Sequence, residues 1–257
     1  MGDEDGPLCG GTANRGRVIR IGDTVHRPRG PQSAAVHQLL NHLTATGFTG
    51  APKLLESRPD TEVLTFIPGL AAYEPMPAWA LTDTALASFI SLVHDYHRCV
   101  ETFDGAGLRW QRSVPDRWRG QLISHNDLNP ANVVFRDQAA VALIDFDLAG
   151  PGSRAWELAV AACFWIPLCD DRDIDDSRRG RAFPRYQLLL DAYEASRPLQ
   201  QEIAEALIDA NIWISTIIES GARHGHPAFG AIWAACAQRY QRAHRWLLTH
   251  HSRLSAL

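Results

Sequence analysis

Hydrophobic and polar positions alternate over short runs in the first quarter of the chain, a pattern typical of β-strands. Two such runs flank Gly22 within RVIRIGDTVHR (residues 17–27), and two more flank residues 58–60 within PKLLESRPDTEVLTFIP. Turn residues between alternating runs predict two hairpins. Between the hairpins, residues 33–47 have apolar positions at helical spacing, which predicts one helix. The apolar face of this helix holds Val36, Leu39, Leu40 and Leu43.

The pattern becomes helical after Pro68-Gly69, beginning with residues 82–103. Residues 121–147 interrupt the helices with two short strands, QLISH and AVALIDF, around a polar connection. Further helices are expected near residues 155–166, 181–196, 199–221 and 228–250. The pattern predicts an α+β protein with a small β-rich N-lobe (1–68) containing one main helix and a larger, mostly helical C-lobe (69–257). A cleft between the lobes is the natural ligand site.

Composition narrows the classes of function. A length of 257 residues with 46% hydrophobic content suffices for one large domain or two small lobes. A net charge of −4 and the absence of a polybasic run argue against a nucleic-acid partner. The acidic N-terminus lacks an apolar signal segment, and the apolar stretch 155–168 is too short to span a membrane. Five cysteines without a C-x-x-C pair suit a reducing compartment, so we expect a cytoplasmic protein.

The segment HNDLNPAN (125–132) and the following ANVVFRDQAAVALIDFD carry the candidate chemistry. Phosphoryl transfer requires Mg²⁺ held by oxygen ligands and a carboxylate that accepts the proton of the attacking hydroxyl. Asp127 is the candidate base. The interval between Asn132 and Asp145 fits a short hairpin that would bring both together as Mg²⁺ ligands. The alternative is that Asp127 and Asn132 only cap a turn, but that leaves Asp145, after the apolar run VALI, without a purpose.

The motif H-x-D-x-x-x-x-N followed by I-D-F-D resembles the catalytic loop and metal-binding motif of the protein-kinase-like superfamily. The ending IDFDLAGPG, the helical C-terminal half and the short length are similar to the aminoglycoside phosphotransferase family. The resemblance implies a two-lobed protein-kinase-like fold with Asp127 as catalytic base and His125 bracing its loop. It implies Mg²⁺ on Asn132 and Asp145, ATP or GTP as co-substrate, and a small-molecule acceptor. Glu157 would match an acidic residue that steadies the active-site loops.

The predicted N-lobe departs from the family pattern. Kinases hold the α- and β-phosphates with a strand lysine paired to a helix glutamate, and that strand position falls at His26 or Arg27. Arg27 is the better candidate because its guanidinium can bind phosphate through two hydrogen bonds. The helix lacks a glutamate and carries His37 near its place, which leaves open whether Arg27 and His37 replace the usual pair. Gly10 and Gly11 are candidates for the nucleotide loop, with a plain turn as the alternative.

Leu64, Phe66 and Ile67 lie where the interlobe hinge of the family contacts the nucleotide base through its backbone. The N-lobe departures permit a second reading, a catalytically weak kinase-like binding protein or an immunity or regulatory protein with a protein partner. Some members of the family are labelled trifolitoxin immunity proteins. The presence of a base and two metal ligands favours an enzyme. The acidic run CDDRDIDDSRRGR (169–181) could attract a polycationic acceptor, or it is a loop neutralised by its own arginines.

Overall fold

A five-stranded antiparallel sheet forms the N-terminal part of the computed structural model, which describes residues 5–8 and 16–257. Its strand order is β1-β2-β3-β5-β4, so β3 and β5 are central neighbours. The predicted β-rich first part is therefore confirmed, while Gly10 and Gly11 lie outside the described residues. The strands are β1 (Gly6–Pro7), β2 (Ile19–Ile21), β3 (Thr24–Pro28), β4 (Leu54–Ser57) and β5 (Thr61–Thr65).

Both predicted hairpins and the predicted helix are present in this part. Strands β2 and β3 turn at Gly22, which has the positive φ of 56° that a tight hairpin turn requires. Helix α1 (Ser33–Ala45) buries its predicted apolar face. It ends where Gly47 adopts a positive φ and the Phe48 N–H donates to the Leu43 carbonyl, a Schellman motif.

Two small antiparallel sheets lie on either side of the polar segment 125–132. The first has the order β6-β8-β9, and the second pairs β7 with β10. Both strands expected between residues 121 and 147 are present, as β7 and β9, and the hairpin expected between Asn132 and Asp145 supplies β8. Strand β7 pairs with β10, outside that stretch. The strands are β6 (Leu70–Ala71), β7 (Leu122–Ser124), β8 (Val133–Arg136), β9 (Ala139–Leu143) and β10 (Gly150–Gly152).

The remaining chain is mostly helical, as predicted, and its helices build the main core. Phe89 of the second helix stacks on Trp165 of the third with ring centroids 4.4 Å apart, and both side chains are fully buried. Pro198 lies in the first turn of a helix rather than between helices, where its missing N–H costs no helical hydrogen bond. No helix in residues 5–8 and 16–257 is long and apolar enough to cross a membrane. The helices are α2 (Asp83–Val100), α3 (Arg154–Trp165), α4 (Ala182–Ala192), α5 (Arg197–Arg223) and α6 (Pro227–Ala256).

Candidate functional site

A tight polar loop connects β7 to β8 and carries the candidate base. Asn126 adopts a left-handed φ of 65°, a conformation that Asn tolerates better than most residues. Asn129 then begins a 3₁₀ turn, with its side-chain oxygen accepting from the Ala131 N–H at 2.9 Å. These two asparagines fold the loop so that Asp127 lies between them at its apex.

Both oxygens of Asp127 are held by amide side chains. Asn129 Nδ2 donates to Oδ1 and Asn132 Nδ2 donates to Oδ2, each at 2.8 Å. Burial, reinforced by the negative charge of Asp145, raises the pKa of Asp127 to about 7. A carboxylate with a fixed orientation and a pKa near neutrality has the properties of a general base.

His125 lies behind the loop and braces it. Its Nε2 donates to the Ile144 carbonyl at 3.0 Å, and its Nδ1 accepts from the Asp127 N–H at 3.3 Å. Burial lowers the pKa of His125, so the ring is neutral at pH 7 and carries its proton on Nε2. The structure therefore places His125 as a link between the base loop and the strand that leads to Asp145.

Glu157, on the first turn of α3, is hydrogen-bonded to the backbone of the same loop. Its fully buried carboxylate accepts the backbone N–H of His125 and, at 2.9 Å, that of Asn126. His97 Nε2 lies 3.8 Å from the same carboxylate, while His97 Nδ1 is 2.7 Å from the Tyr193 hydroxyl. Glu157 thus ties the loop to α3, which matches the bracing role that the family resemblance implies.

We predict that Glu157→Ala destabilises the protein by about 2–4 kcal/mol, because two buried backbone N–H groups lose their acceptor. Urea unfolding measures this change as a shift of the midpoint at unchanged slope. Glu101→Ala is the matched control, since its exposed pair with Arg154 should contribute less than about 1 kcal/mol. Equal midpoints for the two variants would contradict the bracing role.

The hairpin β8–β9 brings the two proposed metal ligands to the same place. Val133 pairs with Leu143, and the Ile144 N–H donates to the Asn132 carbonyl at 2.9 Å. Asn132 and Asp145 therefore lie at adjoining ends of the hairpin, as their interval in the sequence predicts. Asp145 has a left-handed backbone with φ and ψ both at 64°, an uncommon conformation that the hairpin end imposes.

Arg27 of β3 reaches across to this end of the hairpin. Its Nη1 is 3.2 Å from Asp145 Oδ1 and its Nη2 is 3.0 Å from Asp147 Oδ1, while its Nε donates to Glu62 at 2.5 Å. Burial alone would lower the pKa of Arg27, but Asp147, Asp145 and Glu62 outweigh it and raise the pKa above its ordinary value. The guanidinium is a permanent charge at the point where the two proposed lobes meet.

Glu62 was not predicted from the sequence, because the partner of the strand cation was expected on the helix. It lies on β5 directly opposite Arg27 of β3, and its side chain is 1% exposed. His37, at the helix position, contacts the other oxygen of Glu62 at 2.5 Å. The sequence could have indicated Glu62 only if the second strand of the first hairpin had been paired with the second strand of the other hairpin, which aligns positions 27 and 62.

The three proposed hinge residues do not lie in one segment, because one belongs to β5 and two follow it. Leu64 is buried within β5, where it pairs with Val25 and packs in the core. Phe66 follows the strand, but its N–H already donates to the Asp23 carbonyl at 2.8 Å, and its ring lies 3.9 Å below the Arg20 guanidinium. Ile67 is half-buried in the segment between β5 and β6. Strand β5 ends at Thr65, so Phe66 and Ile67 belong to the segment that leads to β6, whereas Leu64 does not.

The charges around Arg27 fit a bound cation. Three carboxylates, on Glu62, Asp145 and Asp147, contact Arg27. Burial together with the charge of Asp147 raises the pKa of Asp145, and burial together with the charge of Asp145 raises the pKa of Asp127. Within the described ranges, no three His, Cys, Asp or Glu side chains form a ready-made metal cage. Mg²⁺ commonly uses one or two carboxylates and completes its shell with phosphate and water oxygens. Asn132 and Asp145 therefore suit a Mg²⁺ ion that arrives with a nucleotide.

The acidic run at residues 169–181 is largely paired within the protein. Asp173 binds Arg242 at 2.5 Å, and Asp176 binds Arg178 at 2.8 Å. Asp170 lies 3.3 Å from its neighbour Arg172. These pairs favour the neutralised-loop alternative over an attracting surface for a polycation.

Comparisons with known proteins point to phosphotransferases and to an immunity protein. Residues 100–199 match the model of a phosphotransferase enzyme family, a stretch that contains the base loop and the hairpin. The trifolitoxin immunity protein of Rhizobium leguminosarum bv. trifolii is 29% identical over 271 residues, covering 100% of this chain and 99% of that protein. The resemblance drawn from the motifs is thereby confirmed.

Solved structures confirm the protein-kinase-like fold. A choline/ethanolamine kinase family protein from Mesorhizobium loti superimposes with a TM-score of 0.60 at 14% identity, covering 95% of this chain and 92% of that one. The streptomycin–ATP ternary complex of the aminoglycoside phosphotransferase APH(2")-IIa gives a TM-score of 0.53 at 14% identity, covering 85% and 88%. At such identities the likeness establishes the fold and not the activity.

Proposed function

We propose that the protein is a small-molecule O-phosphotransferase that moves the terminal phosphoryl group of ATP or GTP to an acceptor hydroxyl. The observation that carries this proposal is the arrangement of Asp127. Its two oxygens are held by amides and its pKa is about 7. It hydrogen-bonds Asn132, whose backbone carbonyl accepts from the N–H of Ile144, the residue before Asp145. A base beside a pair of oxygen ligands is the arrangement that phosphoryl transfer needs.

In this proposal Asp127 accepts the hydroxyl proton of the acceptor as the acceptor oxygen attacks the terminal phosphorus. A new oxygen–phosphorus bond forms, the bond to the bridging oxygen breaks, and the nucleoside diphosphate leaves. Arg27 binds phosphate oxygens through its two terminal nitrogens. Asn132 and Asp145 would hold Mg²⁺, which would neutralise the charge of the phosphates when bound. His125 and Glu157 keep the loop in place and touch neither substrate.

The nucleotide would bind between the N-lobe (1–68) and the C-lobe (69–257), with its base near the segment that follows β5. Gly10 and Gly11 remain predicted phosphate-loop residues. The acceptor would be a hydroxyl compound that approaches Asp127 from the C-lobe. The names of the structural relatives point to amines such as choline, ethanolamine and aminoglycosides as a first panel. We expect the reaction to take place in the cytoplasm, where ATP and GTP are available.

An immunity or regulatory role is the second candidate, because the trifolitoxin immunity protein matches the chain along its whole length. Such a protein would act through a protein partner and would need neither base nor metal. The held geometry of Asp127 supports an enzyme instead, although an immunity protein that acts by phosphorylating a small molecule would satisfy both.

A transfer screen tests the proposal. The protein, Mg²⁺ and ATP or GTP labelled in the terminal phosphate are incubated with a panel of amino alcohols and aminoglycosides, and mass spectrometry detects phosphorylated product. We expect product with at least one acceptor and none with Asp127→Asn. Product formed equally by Asp127→Asn would show that the transfer does not use this site.

A further inference from the structure

Glu62 has no part in the chemistry described so far, yet it is one of the most buried charged groups of the described chain. Its side chain is 1% exposed, and each of its oxygens has a partner 2.5 Å away. Oε1 accepts from Arg27 Nε and Oε2 contacts His37 Nε2. A buried carboxylate requires such partners, because an unpaired charge in the interior is costly.

The nitrogens of the Arg27 guanidinium contact different carboxylates, and this determines what Glu62 does. The side nitrogen Nε points to Glu62, whereas both terminal nitrogens point to Asp145 and Asp147. Arg27 and Glu62 lie directly opposite each other on neighbouring antiparallel strands, where side chains on one face are closest. Glu62 therefore fixes the plane of the guanidinium and leaves the terminal nitrogens aimed at the place where phosphates and metal would lie.

His37 holds Glu62 from the other side. A carboxylate only accepts hydrogen bonds, so His37 Nε2 must donate to it. His37 belongs to α1, whose packed face also includes Val36, Leu39 and Leu40. The helix therefore supplies a hydrogen-bond donor at the position where a kinase helix supplies a carboxylate, and the carboxylate comes from β5 instead.

We propose that Glu62 is the positioning residue for Arg27 in nucleotide triphosphate binding, with His37 anchoring Glu62 to the helix. The inference rests on the proposed function, since it assigns Arg27 to the phosphates. If the ion pair only stabilised the fold, its loss would change the affinity for the triphosphate and for the nucleoside by the same factor. A positioning pair has a narrower effect, because it changes the affinity for the phosphates and leaves the affinity for the nucleoside unchanged.

Calorimetry on the full chain separates these effects by comparing MgATP with adenosine and MgGTP with guanosine. For the triphosphate that binds, Glu62→Gln should weaken affinity about 10- to 100-fold, the range for one charge-assisted hydrogen bond, and leave the nucleoside unaffected. His37→Leu should weaken the affinity for the triphosphate less than Glu62→Gln does. His37→Gln, which keeps a hydrogen-bond donor, should bind the triphosphate as the wild type does.

Glu56→Gln is the matched control, because Glu56 is an exposed glutamate on β4 of the same sheet, and it should change neither affinity. Equal losses for triphosphate and nucleoside in Glu62→Gln, or no loss, would overturn the proposal.

A ligand-free measurement keeps this inference separate from the proposed function. In ¹⁵N NMR spectra, assigned with Arg27→Lys, the Arg27 Nε–H should exchange slowly in the wild type and in Glu56→Gln and rapidly in Glu62→Gln. Rapid exchange already in the wild type would overturn the role of Glu62, whatever the protein binds. Slow exchange together with no binding of either triphosphate would refute the proposed function and the nucleotide role of Arg27 with it. If Glu62→Gln does not fold, Glu62→Asp, which keeps the charge but shortens its reach, takes its place.

Discussion

Replacing Asp127 with alanine is expected to reduce phosphoryl transfer by about 10²–10⁴-fold, the usual contribution of a general base, and to leave nucleotide affinity nearly unchanged. The reason is geometric, since Asn129 and Asn132 fix the two oxygens of Asp127 in one orientation. The reaction needs the deprotonated carboxylate. The pKa of Asp127 is about 7 in the ligand-free protein, so the transfer rate should rise with pH up to neutrality. Once Mg²⁺ is bound, its positive charge should lower this pKa, and the midpoint of the pH–rate curve should move to lower pH.

The measurement pairs single-turnover transfer with calorimetric affinity for the nucleotide. Asp116→Ala serves as control, because Asp116 is an exposed aspartate paired with Arg119 and lies outside the base loop. The control should retain full transfer. Undiminished turnover in Asp127→Ala would show that another group accepts the proton.

The second large effect is expected for Asp145→Ala, in which Mg²⁺ should no longer strengthen nucleotide binding. In the wild type the metal should strengthen it by at least about tenfold, or ~1.4 kcal/mol. Asp145 is the charged member of the proposed ligand pair, and Asn132 alone offers only a neutral oxygen. Arg27 keeps its contacts with Asp147 and Glu62 in this variant, so the guanidinium stays in place.

Asp147→Ala separates the two neighbouring aspartates. Both contact Arg27, but Asp145 directly follows Ile144, which is hydrogen-bonded to Asn132, whereas Asp147 lies two residues further along the chain. Calorimetry with and without Mg²⁺ should show normal metal dependence for Asp147→Ala. Unchanged dependence in Asp145→Ala would place the metal on other residues, and its loss in both variants would make Asp147 a ligand as well.

The base loop and hairpin could be predicted because their chemistry is local. Asp127, Asn132 and Asp145 belong to one loop and one hairpin, so their spacing alone brings them together. Glu157 is more distant, and only the family resemblance pointed to it. Its hydrogen bonds to the loop depend on how α3 packs beneath β7, which no spacing in the sequence records.

The N-lobe site could be predicted only in part, because its partners meet across strands. Arg27 was found as a cation on the expected strand, but Glu62 lies 35 residues further on. Its position opposite Arg27 depends on β3 pairing with β5, whereas each predicted hairpin joins only neighbouring strands. The strands β1, β6 and β10 were missed because two or three residues are too few to show an alternating pattern.

Calorimetric titration of the wild-type protein with ATP and with GTP, each with and without Mg²⁺, tests whether the site binds a nucleotide. We expect at least one of them to bind and Mg²⁺ to strengthen this binding. Failure of both nucleotides to bind under either condition would contradict this expectation. The chain would then be a kinase-like fold without a kinase site, and the search for its function should turn to a protein partner.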